Sequence, residues 1–353
     1  MNRQEFKLML EKNIPCIEGR NVWIWGAGNT ARLYQGGWNR LDKFEVCGYC
    51  DSNSKLWGQV LSGKPIVSPE EMMLQTNILV LICSTQKTVI QSVGEKLDEA
   101  GIEWHAIGEL VCKLYRTEVM KCYDLLEDSF SKDTYAHIIG CHLTGELPEG
   151  QFIVEGEYFW LRQFKQLRNE TFIDCGAYTG DTIEEYILER NGVFGKIIAF
   201  EPDKQNFAAM KYRVSRLKRE WNIPEEAIQM FCCGVGADSH IQMFSASGTL
   251  RSMCLDESTC MMSENIDIVS LDQFIKEPYH FIKVDIEGYE YNMLMGAQEG
   301  ICRNKPVLAV CIYHNAVDMF SIMLFLHQLV PEYKFLVRHH SEALQDTVLY
   351  AYV

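Results

Sequence analysis

The chain has 353 residues, 47% of them hydrophobic and 23% charged, with a net charge of -15; it is long enough for two cores. Such a charge argues against a phosphate-backbone binder, which needs a basic face, so no nucleic-acid partner is expected. No uncharged apolar run approaches the ~20 residues of a transmembrane span, and the 14 cysteines are scattered, so reduced thiols and a cytoplasmic setting are expected.

The N-terminus, MNRQEFKLMLEKN, carries charges throughout and no apolar h-region. A short amphipathic helix is expected there rather than a secretory signal. Strand-like runs NVWIW (21–25), FEVCGY (44–49), NILVLIC (77–83) and IEWHAI (102–107) then alternate with helical segments near 29–40, 69–74 and 86–100. Ser68 and Pro69 suit the N-cap and first turn of the second of these helices. This alternation predicts a small Rossmann-like parallel α/β domain over residues 1–110. Its WIWGAGNTARLY segment places Gly26, Gly28 and Ala31 in a GxGxxA turn after the first strand, and Asp51 ends the next strand. Read alone, Gly26, Gly28 and Asp51 form a dinucleotide fingerprint. Four strands make only half of a dinucleotide fold, however. A mononucleotide or nucleotide-sugar site is one reading, and a vestigial domain used for dimerisation or positioning is the other. The CGYC segment (47–50) has CxxC spacing but lies in a strand, not at a helix start, which favours core thiols over redox chemistry.

Residues 111–170 lack strand alternation and read as a helical connector. The alternation then resumes with TFID (171–174), KIIAFE (196–201), IQMFCC (228–233), FIKVD (281–285), PVLAVCIY (306–313), YKFLV (333–337) and TVLYAYV (347–353). Helices are expected near 181–190, 203–218, 271–276, 290–297 and 316–329. Asp181 with Glu184, and Ser270 with Gln273, fit capping boxes. The polar stretch 239–265 suggests a hairpin followed by a lid loop. The last two strands have too short a gap for a parallel crossover and must pair antiparallel. A parallel sheet closing in an antiparallel hairpin is the class I methyltransferase layout, here spanning 171–353.

Acids and glycines collect at the strand ends. Asp174 ends the first strand of this series, Gly176 and Gly180 build the turn after it, and Glu201 ends the second strand. This pattern suits a nucleoside ligand, with Glu201 accepting from ribose hydroxyls. Lys283, Asp285, Glu287 and Glu290 crowd the FIKVDIEGYE segment; Glu287 and Glu290 also suit the start of a helix. Like charges gathered at a sheet edge mark Asp285 as a site residue. His314 follows the next strand and is, with Asp285, a candidate general base. Arg338, His339 and His340 end the penultimate strand, where they either line the pocket or face water; water is the preferred reading.

Together, IDCGAYTGDT, AFEPD, SLDQF and IKVDIEGYE resemble the FkbM family of S-adenosylmethionine-dependent methyltransferases, over about residues 150–353. The Asp285, Glu287, Gly288 and Glu290 motif is the most diagnostic part. The resemblance implies S-adenosylmethionine as cofactor, with Asp174, Gly176 and Gly180 at its methionine end and Glu201 at its ribose. It implies that Phe200 and the Cys232–Gly234 turn lie near the adenine. It also implies O-methylation of a sugar or other hydroxyl acceptor. Tyr178 stands where a small residue or Asn is usual, and EGEYF (155–159) resembles a segment common in the family's bacterial members, which implies a cap over the site. A divalent metal held by Asp285 and Glu287 is the less favoured way to activate the hydroxyl, and no metal is assigned. The front domain resembles those of sugar acyltransferases and nucleotide-sugar enzymes. The alternatives are an NAD-dependent oxidoreductase using the N-terminal turn, or a non-catalytic cofactor-binding protein; a homodimer is compatible with each.

Overall fold

A computed structural model describes residues 1–353 except 39, 85, 160, 162–167, 246–252 and 256–262. The apolar runs of the N-terminal half form strands β1 (Asn21–Trp25), β2 (Val46–Cys50), β3 (Val60–Leu61), β4 (Lys64–Val67), β5 (Ile78–Ile82) and β6 (Trp104–Ala106). Their order is β3-β4-β2-β1-β5-β6. Every neighbour pair is parallel except β3 with β4. The internal strand β5 is buried at every residue, as a strand covered on both faces must be. The β3–β4 pair is absent from the sequence reading: a two-residue strand beside a Pro-containing one carries no usable period. Its β4 extends the sheet to five parallel strands, so a count of four understates this domain; the Gly26 turn follows β1, which lies between β2 and β5 where the strand order reverses. Ser68 does cap helix Pro69–Met73, accepting from Glu71 N–H. In the CGYC segment Cys47 is exposed, Cys50 is buried, and both are free.

Helices Ile107–Leu114, Arg116–Leu125 and Ser129–Thr144 follow. Asp128 caps the last of them through Ser131 N–H and also pairs with Arg338 at 2.7 Å. The chain on either side hydrogen-bonds to the C-terminal sheet, Glu127 N–H to Phe335 O and Val154 N–H to His339 O. Arg338 and His339 are therefore buried, at 6% and 0% exposure, and do not face water. His340 is half-buried against Val154 O.

The C-terminal half contains β7 (Thr171–Cys175), β8 (Lys196–Phe200), β9 (Ile228–Phe231), β10 (Gly234–Val235), β11 (His240–Ser245), β12 (Met253–Leu255), β13 (Ser263–Val269), β14 (Phe281–Val284), β15 (Val307–Cys311), β16 (Lys334–His339) and β17 (Thr347–Tyr352). Seven of them form one sheet in the order β16-β17-β15-β14-β7-β8-β9. β17 lies antiparallel between β15 and β16, and the rest are parallel, the expected closing hairpin. A second sheet, β10-β13-β11-β12, holds the expected hairpin. Much of the expected lid loop falls at 246–252 and 256–262, outside the described residues. No described helix is long and apolar enough to cross a membrane.

Neither capping box forms. Helix Asp181–Glu189 is capped by Gly180 in the left-handed conformation, Asp181 being its first residue, and Glu184 turns to Arg213 and Arg216. Ser270 precedes Leu271–Phe274 but donates its hydroxyl to Gly296 O, while Gln273 accepts from Ser239. In both, a tertiary partner competes successfully for the local cap.

Candidate active site

Strand register sets the site. Val284 pairs with Cys175 and Cys175 with Phe200, so the next residues of three adjacent strands, Asp285, Gly176 and Glu201, sit level at the carboxyl edge. Gly176 has φ +82°, and a Cβ there would come 1.8 Å from Asp285 O. Only glycine lets the two strand ends approach this closely. Tyr178, two residues on, also has positive φ, +45°; its N–H donates to Glu201 Oε2 at 2.9 Å, which holds an unfavourable backbone in place.

Glu201 is buried at 6% exposure. Its other oxygen accepts from Asp203 N–H at 2.9 Å. Burial pushes its carboxyl up, the two backbone N–H groups oppose that, and the result is about 7. Asp174 lies deeper, at 0% exposure, so it does not line an open surface. It sits 3.2 Å from Lys283 Nζ, and that ammonium donates to Gly176 O at 2.6 Å. Burial raises the Asp174 carboxyl and Lys283 opposes it. Lys283 thus ties the strand-end acid to the glycine turn.

Asp285 is the half-exposed member of the opposite edge. Tyr158 OH donates to its Oδ2 at 3.2 Å and Tyr313 OH to its Oδ1 at 3.5 Å. Tyr158 belongs to the EGEYF segment named above; Tyr313 ends the apolar run that His314 follows, and as an apolar-run tyrosine it carries no acid–base signal in the sequence. His314 and Glu290 lie behind Asp285. Glu290, at 0% exposure, accepts from Ile286 N–H at 2.9 Å and Gly288 N–H at 3.3 Å. It does begin a helix, Glu290–Met295, but faces inward to His314. The imidazole stands 3.1 Å from Glu290, 3.5 Å from Glu287 and 3.6 Å from Asp285. Burial pulls its pKa down, the carboxylates outweigh that, and it rises to about 10. His314 therefore holds its proton at neutral pH in the ligand-free chain, unlike the neutral base expected from its position after a strand.

In the N-terminal half, Gly26 has φ +112°, with Cys83 O 3.1 Å from where a Cβ would be. Gly28 has an ordinary φ and open space, so it is not a required glycine. Asp51 accepts from Ala27 N–H at 2.8 Å and Asn53 N–H at 2.8 Å, repeating the way Glu201 holds Tyr178 and Asp203. The following helix, Asn29–Trp38, reaches the other half: Tyr34 OH accepts from Ala316 N–H at 3.1 Å. Arg40 pairs with Asp318 at 2.6 Å, the acid side chain being 0% exposed, and stacks 4.4 Å from the Tyr291 ring centroid. The N-terminal half thereby braces the loop that carries His314.

Arg40→Met is expected to cost about 3 kcal/mol by leaving the buried Asp318 carboxylate short of a partner. Burial lifts Asp318 to about 6 and Arg40 opposes that. Its folded pKa already exceeds the unfolded one, so ionisation costs stability as pH rises through 6. Without Arg40 that cost grows. Denaturant midpoints should therefore show the largest deficit above pH 6 and a smaller one below it.

A family model described as the methyltransferase FkbM domain matches residues 174–337, which takes in the glycine turn, Glu201, Asp285 and His314. The crystal structure of a methyltransferase FkbM from Methylobacillus flagellatus is similar in fold at 21% identity and a TM-score of 0.60. The match covers 99% of this chain and 98% of that one, so the likeness takes in both halves. An rRNA methylase from Streptococcus thermophilus overlaps 52% of this chain and 86% of its own, at 14% identity and a TM-score of 0.33. No curated protein matches the chain. Residues 174–337 match the FkbM methyltransferase domain family.

Proposed function

We propose that this methyltransferase uses S-adenosylmethionine and methylates a hydroxyl, of a sugar or another small acceptor. The observation that carries the reading is the level alignment of Gly176, Glu201 and Asp285 on three adjacent strand ends. The residues fit the cofactor. The Gly176 turn has no Cβ to block close approach, and Glu201 keeps carboxylate lone pairs for two ribose hydroxyls after accepting two backbone N–H groups. When bound, S-adenosylmethionine supplies an electrophilic methyl on its sulfonium. The protein's remaining work is to place the acceptor oxygen and take its proton. Asp285 suits both tasks, since it is half-exposed and flanked by the hydroxyls of Tyr158 and Tyr313. Asp174 acts through Lys283 on the Gly176 carbonyl, which is a positioning role. His314, protonated and enclosed by carboxylates, supports Asp285 rather than acting as the base. The division into 1–110, 111–170 and 171–353 is part of the same proposal and is supported by the two separate large sheets.

The oxidoreductase alternative draws only on the Gly26 turn and is not favoured. Titration calorimetry with S-adenosylhomocysteine and NAD separates the two, because heat with NAD alone would reverse the order of these readings. A pH dependence follows from Glu201. Ribose hydroxyls donate to the ionised carboxylate, and the free protein begins to protonate it near pH 7. Cofactor affinity is therefore expected to hold above pH 7 and to fall up to about tenfold per unit below it, the limit for one coupled proton. Glu201→Gln should bind weakly at every pH, with a flat profile over this range.

A further inference from the structure

Asp285, Glu290 and His314 come from three separate segments: the end of β14, the start of helix Glu290–Met295, and the loop after β15. One ligand atom from each lies within 4.8 Å of the others. The His314 side chain is 2% exposed, and its ring nitrogens face only carboxylates, at 3.1–3.6 Å, in a geometry that completes no hydrogen bond. Glu290 Oε2 is likewise buried and without a partner, while its Oε1 serves Ile286 and Gly288. Buried polar atoms normally complete a hydrogen bond, and a cluster in which three do not needs a cause. Two carboxylates and an imidazole converging on one point, with the third neighbour Glu287 3.5 Å from the imidazole, supply the donor set and negative charge that a cation takes.

We propose that Asp285, Glu290 and His314 bind a first-row divalent cation, of the Mn2+ or Zn2+ kind, which displaces the His314 proton and takes its place among the carboxylates. This differs from the Asp285–Glu287 pair suggested by sequence, because Glu290 and His314 contribute the buried unpaired atoms. The inference rests on the methyltransferase reading for its purpose: a cation beside Asp285 would lower the pKa of an acceptor hydroxyl. Its existence can be tested separately.

The 353-residue chain, stripped with a chelator and exchanged into metal-free buffer, is titrated with Mn2+, and the free ion is followed by electron paramagnetic resonance. One Mn2+ per chain is expected, displaced by Zn2+. His314→Gln and Asp285→Asn should each weaken binding by about tenfold or more, whereas the surface variant Glu299→Gln should bind as the native chain does. Circular dichroism shows whether the variants fold, and Asp285→Asn, at a half-exposed position, serves if His314→Gln does not. Sub-stoichiometric Mn2+, or native-like binding by a folded variant of either residue, overturns the site. S-adenosylhomocysteine binding is measured on the same metal-free samples. Its absence would count against the methyltransferase reading and leave the cation result standing on its own.

Discussion

Replacing Asp285 by Asn is expected to reduce methyl transfer by about 10²–10⁴-fold, the range for removing a positioned proton acceptor, with no change in S-adenosylhomocysteine affinity. The substitution keeps volume and one carbonyl acceptor, so Tyr158 OH or Tyr313 OH can still donate to it. It removes the charge and the ability to take a proton from the acceptor. Because the Asp285 main chain, not its side chain, packs against the Gly176 turn, the cofactor side should be undisturbed. Turnover is read as S-adenosylhomocysteine released with an acceptor drawn from a screen of hydroxyl compounds, and affinity by calorimetry. Native turnover in Asp285→Asn would assign the proton to another group. A parallel loss of affinity would mean that the side chain serves the cofactor instead.

Gly176→Ala should have the largest effect on folding. The new methyl would lie 1.8 Å from Asp285 O, a backbone atom, at φ +82°. No rotamer change relieves such an overlap; β7 and β14 would have to part at their carboxyl ends. Added to the left-handed penalty of about 1–2 kcal/mol, the clash puts the cost above about 4 kcal/mol. The expected result is little soluble protein, or a chemical-denaturation midpoint far below native. Gly28→Ala is the internal comparison. Its Cβ would meet nothing within 4 Å and its φ is ordinary, so its midpoint should stay close to native. Equal behaviour of the two variants would contradict the reading that one glycine turn is sterically required and that the other position is not.

Much of this was legible in sequence because it depends on local pattern. Apolar runs ending in acids, and glycines after the first strand, record a parallel sheet with its open edge, and a short gap before the last strand forces an antiparallel pair. What stayed hidden depends on partners far along the chain. Arg338 reads as a surface residue until Asp128 and Ser131, about two hundred positions earlier, close over it. The capping boxes at Asp181 and Ser270 had the right spacing, but Gly180 and the Gly296 carbonyl took over those roles. His314 was visible as a histidine after a strand. Its enclosure by three carboxylates from the preceding βα connection was not, and that enclosure changes its protonation and so its role. Arg40 carried no signal at all, since its partner Asp318 lies in the other half of the chain.

Calorimetric titration of the native chain and of Glu201→Ala with S-adenosylhomocysteine tests the cofactor site itself. Glu201→Ala removes the carboxylate that would accept the ribose hydroxyls, at about 2 kcal/mol, or roughly 30-fold in affinity. One site is expected on the native chain, with that loss in the variant. No heat with the native chain, or equal affinity in the two proteins, would contradict it.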